Sequence, residues 1–206
     1  MRTGKMDRRQ ARTKQLLHQA FMALIQEKGT DGLTVTDITT RADVSRGTFY
    51  LHYRDAQDML EQIKTEILNT LSVLMQESDV YEVKAYVEND EPYPKLVRIT
   101  EELEHNGDFM KIMFGPTGDI SFGLHFKELV TKHIWGKITL RHPDIEQVLM
   151  PADYLLAYTV SANLGVLTHW INTGMRETPS EVARFIARII YHGPLMSSGV
   201  LERHSY

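Results

Sequence analysis

Apolar positions recur along this chain at helical spacing almost from the start. In "ARTKQLLHQAFMALIQEKG", Leu16, Leu17, Ala20, Phe21, Leu24 and Ile25 fall on one stripe, and Gly29 follows as a stop. Thr34-Val35-Thr36-Asp37 reads as a capping box opening a second, short helix that ends near Ala42. Ser45 is the next N-cap and opens a third helix through about His52. Asp55-Ala56-Gln57-Asp58 opens a fourth, along which Met59, Leu60, Ile63, Ile67, Leu68, Leu71 and Leu74 continue the stripe.

After Val80 the pattern weakens, and "VENDEPYP" reads as an acidic, proline-broken linker. Further helices are predicted at about Lys95–His105, Asp108–Phe114, Ile120–Leu140, Ala152–Thr173 and Ser180–Tyr191. The breaks between them are Gly115-Pro116, Pro143, Gly174 and Gly193-Pro194. All seven prolines fall at or near helix ends or in connections. No alternating strand pattern of useful length, internal repeat or low-complexity segment is present. The expected class is all-α: an N-terminal three-helix helix-turn-helix domain over 1–54, and a helical body over 55–206.

Charge sharpens that division. Residues 1–54 carry 10 Lys and Arg against 5 Asp and Glu; residues 55–206 carry 13 against 22. A basic first quarter on an acidic body either meets a polyanion or is a solvated tail. The 206 residues contain no Cys, so neither a disulfide framework nor a thiolate metal site is available. The opening "MRTGKMDRRQARTKQ" lacks the apolar stretch of a signal peptide, and no apolar run is long enough to span a membrane. The expected setting is cytoplasmic and bacterial.

Two short capped helices joined at "RADVS" make a helix-turn-helix. Ile38, Ala42, Val44, Phe49 and Tyr53 are spaced to face the first helix and form a small core. That leaves Arg46, Gly47, Thr48, Tyr50 and His52 on the opposite or leading face. Arg46 suits guanine O6/N7 or a phosphate, and the Thr48 hydroxyl and methyl suit base edges. Gly47 permits close approach of the backbone, and Tyr50 can donate to a phosphate oxygen.

"GLTVTDITTRADVSRGTFYLHYRDAQDML" resembles the DNA-binding signature of the TetR family of bacterial transcriptional regulators. The resemblance is dense over about Leu16–Leu60. "THWINTGMRETPSEVARFIARII" is similar to the C-terminal segment of one branch common in Gram-positive bacteria. By that resemblance the DNA contacts are Thr36, Arg46, Gly47, Thr48, Tyr50 and His52, the partners are an operator duplex and a second copy of the chain, and the body holds an effector. Two positions depart from the family pattern. Asp43 stands where the turn usually has Gly, and Ala56 where helix four usually begins with a phosphate-binding Lys. Arg54, Arg8, Arg9 or Arg12 are the substitutes available for that clamp, and Arg2 and Lys5 are either solvated or a minor-groove arm.

In the body, Ala157, Ser161 and Gly165 recur at four-residue spacing, a small-residue row that admits a close helix crossing. With Phe185 and Ile189 on the last helix they are the expected dimer interface; the alternative is burial within one subunit. Phe109, Met113, Phe122, His125, Phe126, Tyr158, His169 and Trp170 are the expected effector pocket, suited to a small apolar or aromatic molecule, within a wider cluster that includes His133, Tyr154 and Asn163. His125 and His133 lie two helical turns apart, roughly 12 Å of rise, too far for one metal ion without other ligands. No zinc-protease, phosphate-loop or serine-hydrolase motif is present, so neither an enzyme nor a cofactor is expected. The expected function is a dimeric repressor released by a small molecule; the alternative is the same fold regulated by a protein partner, as in a co-activator arrangement.

Overall fold

The computed structural model describes residues 8–30, 32–115, 118–141 and 150–198. Arg2, Lys5, Pro116 and Pro143 lie outside the described residues, and the side chains of Arg8 and Arg9 are likewise not described. Among the described residues every regular element is a helix. The chain divides into two compact units, Met1–Ile67 and Leu68–Tyr206.

The first unit is built on α1 (Arg8–Lys28), α2 (Val35–Ala42), α3 (Arg46–Tyr50) and the opening turns of α4 (Ala56–Glu77). Its core is close to the expected one: Leu17, Phe21, Leu24 and Ile25 from α1 are buried with Ile38, Ala42, Phe49, Tyr53, Met59, Leu60 and Ile63, while Val44, expected among them, is only half-buried. Leu16 departs from the stripe and is exposed. Phe49 stacks edge-on against Tyr50 and tilted against Tyr53, with centroids 5.7 and 5.5 Å apart. Burying the Phe49 and Tyr53 rings supplies apolar area that holds two short helices, neither of which is long enough to be stable alone. Helix α3 stops at Tyr50 rather than running to His52, because Leu51 and His52 close it with turn bonds to Thr48 and Phe49.

The second unit continues from α4 through α5 (Val83–Glu88), α6 (Pro94–His105), α7 (Gly107–Met113), α8 (Ile120–Arg141), α9 (Ala152–Asn172) and α10 (Pro179–Ser197). Helix α10 packs on α6 and α5, and α8 on α9. Helix α5 has no counterpart in the sequence reading. It is a single short element whose apolar positions, Val83 and Val87, pack with nearby Tyr93 and with Ala187 from a distant part of the chain. Helix α10 opens with a second capping box, Thr178 to Glu181. It also resumes beyond the expected stop: Gly193 breaks it with φ 73°, and Pro194 starts a last turn to Ser197. Among the described residues no helix is long and apolar enough to cross a membrane.

Candidate functional site

The head is assembled by caps. Thr34 Oγ1 accepts from the Asp37 amide at 3.1 Å while Asp37 Oδ2 accepts from the Thr34 amide at 3.0 Å. The Thr34 hydroxyl donates in turn to Asp37 Oδ2, and this bond, followed by the one from the Thr34 amide, holds the Asp37 carboxyl below its usual range. Asp43 then takes the left-handed conformation, φ 53° and ψ 47°, and donates its amide to the end of α2. Ser45 caps α3, accepting from the Thr48 amide at 3.1 Å, with the Ser45 and Thr48 hydroxyls 2.8 Å apart.

On this frame Arg46 Nη2 donates to Thr36 Oγ1 at 2.8 Å, so two of the six expected contact residues touch each other. Both are exposed, as are Gly47 and Tyr50; Thr48 and His52 are half-buried. A Cβ at Gly47 would approach only Ser45 Oγ, at 3.8 Å, so that side of the helix is open. Arg54, a possible stand-in for the missing lysine, is tied to Asp58 through Nη2 at 2.8 Å and through its own backbone amide at 2.9 Å. Ala56 is the first residue of α4, with no cation in its place.

The eight expected pocket residues do not form one site. Phe109, Met113, Phe122 and Phe126 are buried and close-packed. Phe122 meets Phe109 and Phe114 edge-on at 5.7 and 5.6 Å, and Phe114 meets Phe126 at 5.6 Å. Trp170 is buried with its indole N–H on the Glu177 carbonyl at 2.9 Å. His125, Tyr158 and His169 face outward. Interlocked rings fill space; they do not leave it.

A cavity begins one turn on from Phe126 along α8 and, on α9, lies between Tyr158 and His169. It measures about 120 Å³ and is walled by residues of α4, α5, α6, α8, α9 and α10, none of them among the expected eight. Most of its accessible lining is apolar, with Ser78, Asp79, Thr100, His133, Lys137 and Asn163 among its polar members. Ser78 gives its hydroxyl hydrogen to the Met75 carbonyl at 2.9 Å, so the His133 ring donates from Nε2 to Ser78 Oγ at 3.2 Å. Burial, and then the Lys137 charge, pushes the His133 pKa down and favours the neutral ring. No single-sequence signal marks this cavity; Asn163 on an otherwise apolar helix is the nearest to one.

Ala157, Ser161 and Gly165 lie in a row on the exposed side of α9, and a Cβ at Gly165 would meet nothing within 4 Å. Tyr154 and Tyr158 flank the row, Phe185 of α10 is exposed, and Ile189 is half-buried.

Residues 17–63 match the family profile described as bacterial regulatory proteins, tetR family. Residues 90–192, half the chain, match a second profile, described as the C-terminal region of transcriptional regulators. The chain belongs to the TetR family. Its head is therefore the helix-turn-helix domain of a DNA-binding transcriptional regulator, in a family that is not enzymatic. The HTH-type transcriptional regulator YxbF of Bacillus subtilis (strain 168) is 38% identical over 58 residues, 28% of this chain and only 15% of the relative. Two solved structures share the TetR fold over nearly their whole length. One is the TetR transcriptional regulator from Streptococcus agalactiae 2603V, with TM-score 0.59 and 22% identity over 89% of this chain and 96% of that one. The other is FadR from Bacillus subtilis in complex with stearoyl-CoA, with TM-score 0.57 and 13% identity over 87% and 98%. At these identities both speak for the fold alone.

Proposed function

We propose that this TetR-family protein is a cytoplasmic homodimeric repressor that reads an operator through Thr36, Arg46, Gly47, Thr48, Tyr50 and His52 and is released by a small apolar or aromatic effector. Residues 1–54 would read DNA, and 55–206 would sense and dimerise. The observation that carries the reading is the bond from Arg46 to Thr36, which fixes an exposed guanidinium on the open side of a capped helix beside Gly47 and Tyr50. A planar fork held in this way is suited to the paired acceptors of a guanine edge.

The exposed row Ala157, Ser161 and Gly165 supports a dimer, because two-fold operators need two reading helices. The cavity supports a ligand-driven release: an effector shifts DNA affinity only if it binds one conformation of the protein better than the other. A second reading, regulation by a protein partner, draws on Ile120 and Leu124, which are 80% and 61% exposed at the start of α8. Fluorescence anisotropy with duplexes from the region upstream of the protein's own coding sequence, across a salt series, tests the DNA claim. Salt-sensitive binding that prefers one duplex over random DNA is expected. Binding that ignores both salt and sequence would overturn it.

A further inference from the structure

Asn163, in the lining of the cavity in the second unit, carries a polar atom without a partner among the described residues. Asn163 is 8% exposed and its amide nitrogen donates to the Thr159 carbonyl one turn back, at 2.8 Å. Only the nitrogen can bond a carbonyl, so that bond fixes which way the amide points. Asn163 Oδ1 is left as a buried acceptor with no partner among the described residues. Buried polar atoms are paired in the great majority of cases, and one that is not asks for a ligand or water to supply the missing hydrogen.

Size decides what that ligand is. The cavity holds about 120 Å³. An apolar cavity of roughly 150 Å³ is known to accept benzene, whereas pockets for drug-sized ligands run from about 300 Å³ upward. A stearoyl chain needs several times this space, so the ligand of the B. subtilis FadR structure is a poor guide here. Apolar walls from Val83, Ile99, Val130, Leu167 and Ile186 surround Asn163. Both charged groups of the lining are engaged: the Lys137 ammonium donates to the Gln76 carbonyl at 3.0 Å, and the Asp79 carboxylate accepts from the Tyr81 amide at 3.0 Å.

Resting on the effector reading above, we infer that this cavity takes a compact, uncharged, mostly apolar molecule of about phenol size, whose single hydroxyl donates to Asn163 Oδ1. The site also explains how occupancy reaches the dimer face. Thr159, Asn163 and Leu167 line the cavity from one side of α9, and Ala157, Ser161 and Gly165 lie on its exposed side. Ile186 and Ile190 of α10 line it beside the exposed Phe185 and the half-buried Ile189. A molecule that fills the cavity therefore bears on the same two helices that carry the outer apolar face.

The test is calorimetry on the full-length, DNA-free protein with phenol, toluene, benzoate and stearoyl-CoA. Phenol and toluene have nearly the same shape and differ in the donor. Phenol is expected to bind once per chain and about tenfold more tightly than toluene, the worth of one buried hydrogen bond. In Asn163→Leu the two should bind within about twofold of each other. Equal binding of phenol and toluene to the unaltered protein would remove Asn163 from recognition. Tighter binding of benzoate than phenol would show that Lys137 selects an anion instead. Binding of stearoyl-CoA without phenol, or of none of the four, would overturn the size argument. The ligand series on the unaltered chain decides the matter even if the variant does not fold. No DNA enters the measurement, so its failure is separable from failure of the operator reading.

Discussion

Arg46 Nη2 donates to the Thr36 hydroxyl at 2.8 Å, a bond that joins the leading end of α3 to the first turn of α2. A guanidinium tethered in this way has already lost part of its rotamer freedom before DNA arrives. Arg46→Ala is therefore expected to cost about 1–3 kcal/mol on the operator if the fork meets a guanine edge, and less on random duplex. Tyr50, exposed and free to swing onto a phosphate, is the control: Tyr50→Phe should weaken every duplex by a similar factor. Anisotropy with operator and random DNA reads both. Equal losses for Arg46→Ala on the two duplexes would make Arg46 a phosphate anchor.

Ala56 opens α4 without a cation, and Arg54 beside it is engaged by Asp58. Ala56→Lys is expected to add one phosphate contact. It should tighten operator and random duplex alike and steepen the dependence of log affinity on log salt by about 1. An unchanged slope would mean that DNA does not pass near the start of α4.

These head predictions rest on residues that the sequence made legible, and there is a physical reason for the legibility. Caps are local: Thr34 finds Asp37 three residues on, and Ser45 finds Thr48, so the residue types announce the geometry. The aromatic stripe of Phe49 and Tyr53 announces burial in the same way. The body is different. Helix α5 exists because Val83 and Val87 meet Ala187 a hundred residues away, and no six-residue pattern carries that information. The cavity was expected where aromatic residues are densest, around Phe122 and Phe126. Dense aromatics mark a site that packs well, and a void forms where side chains from six helices fail to interlock. That is a property of the assembly, and a stripe on one helix does not encode it.

Asp43 holds the left-handed conformation between α2 and α3, with φ 53°. A side chain there costs about 1–2 kcal/mol for most residues and less for Asp. Asp43→Gly is expected to stabilise the protein by about 0.5–1 kcal/mol without altering operator preference, since Asp43 donates only its backbone to the cap. Chemical denaturation at matched protein concentration measures it. A loss of stability would mean that the Asp43 carboxylate contributes something beyond the cap.

His133 lines the cavity with a pKa pushed below its usual 6.5, first by burial and then by Lys137, against opposing pulls from Ser78 and Asp79. The unfolded chain then binds a proton near pH 6.5 that the native ring resists. Below that pH the unfolded state holds more protons, so stability falls as pH drops through about 6.5 and is retained above it. His133→Gln should flatten this part of the profile relative to the unaltered protein. Thermal melts between pH 5 and 8 provide the comparison, and identical slopes for the two proteins would remove His133 as the source.

Gly165 lies on the exposed side of α9, and a Cβ built there meets nothing within 4 Å of its own chain. A side chain at this position is therefore not expected to disturb the protomer. Replacing a mid-helix glycine should even favour the helix by up to about 1 kcal/mol. Any harm done by Gly165→Leu must come from outside the chain. If the row Ala157, Ser161 and Gly165 is where a second copy crosses, the bulky side chain overpacks it on both sides of the two-fold axis. Overpacking costs about 1–3 kcal/mol, roughly 5- to 150-fold in the dimer dissociation constant. Sedimentation velocity over a dilution series should show the variant falling to monomer at concentrations where the unaltered protein stays paired. Operator affinity should fall with the dimer while the helical signal in circular dichroism is kept. A variant that remains fully dimeric on dilution would show that the crossing lies elsewhere on α9 and α10, with Phe185 and Ile189 the next positions to alter.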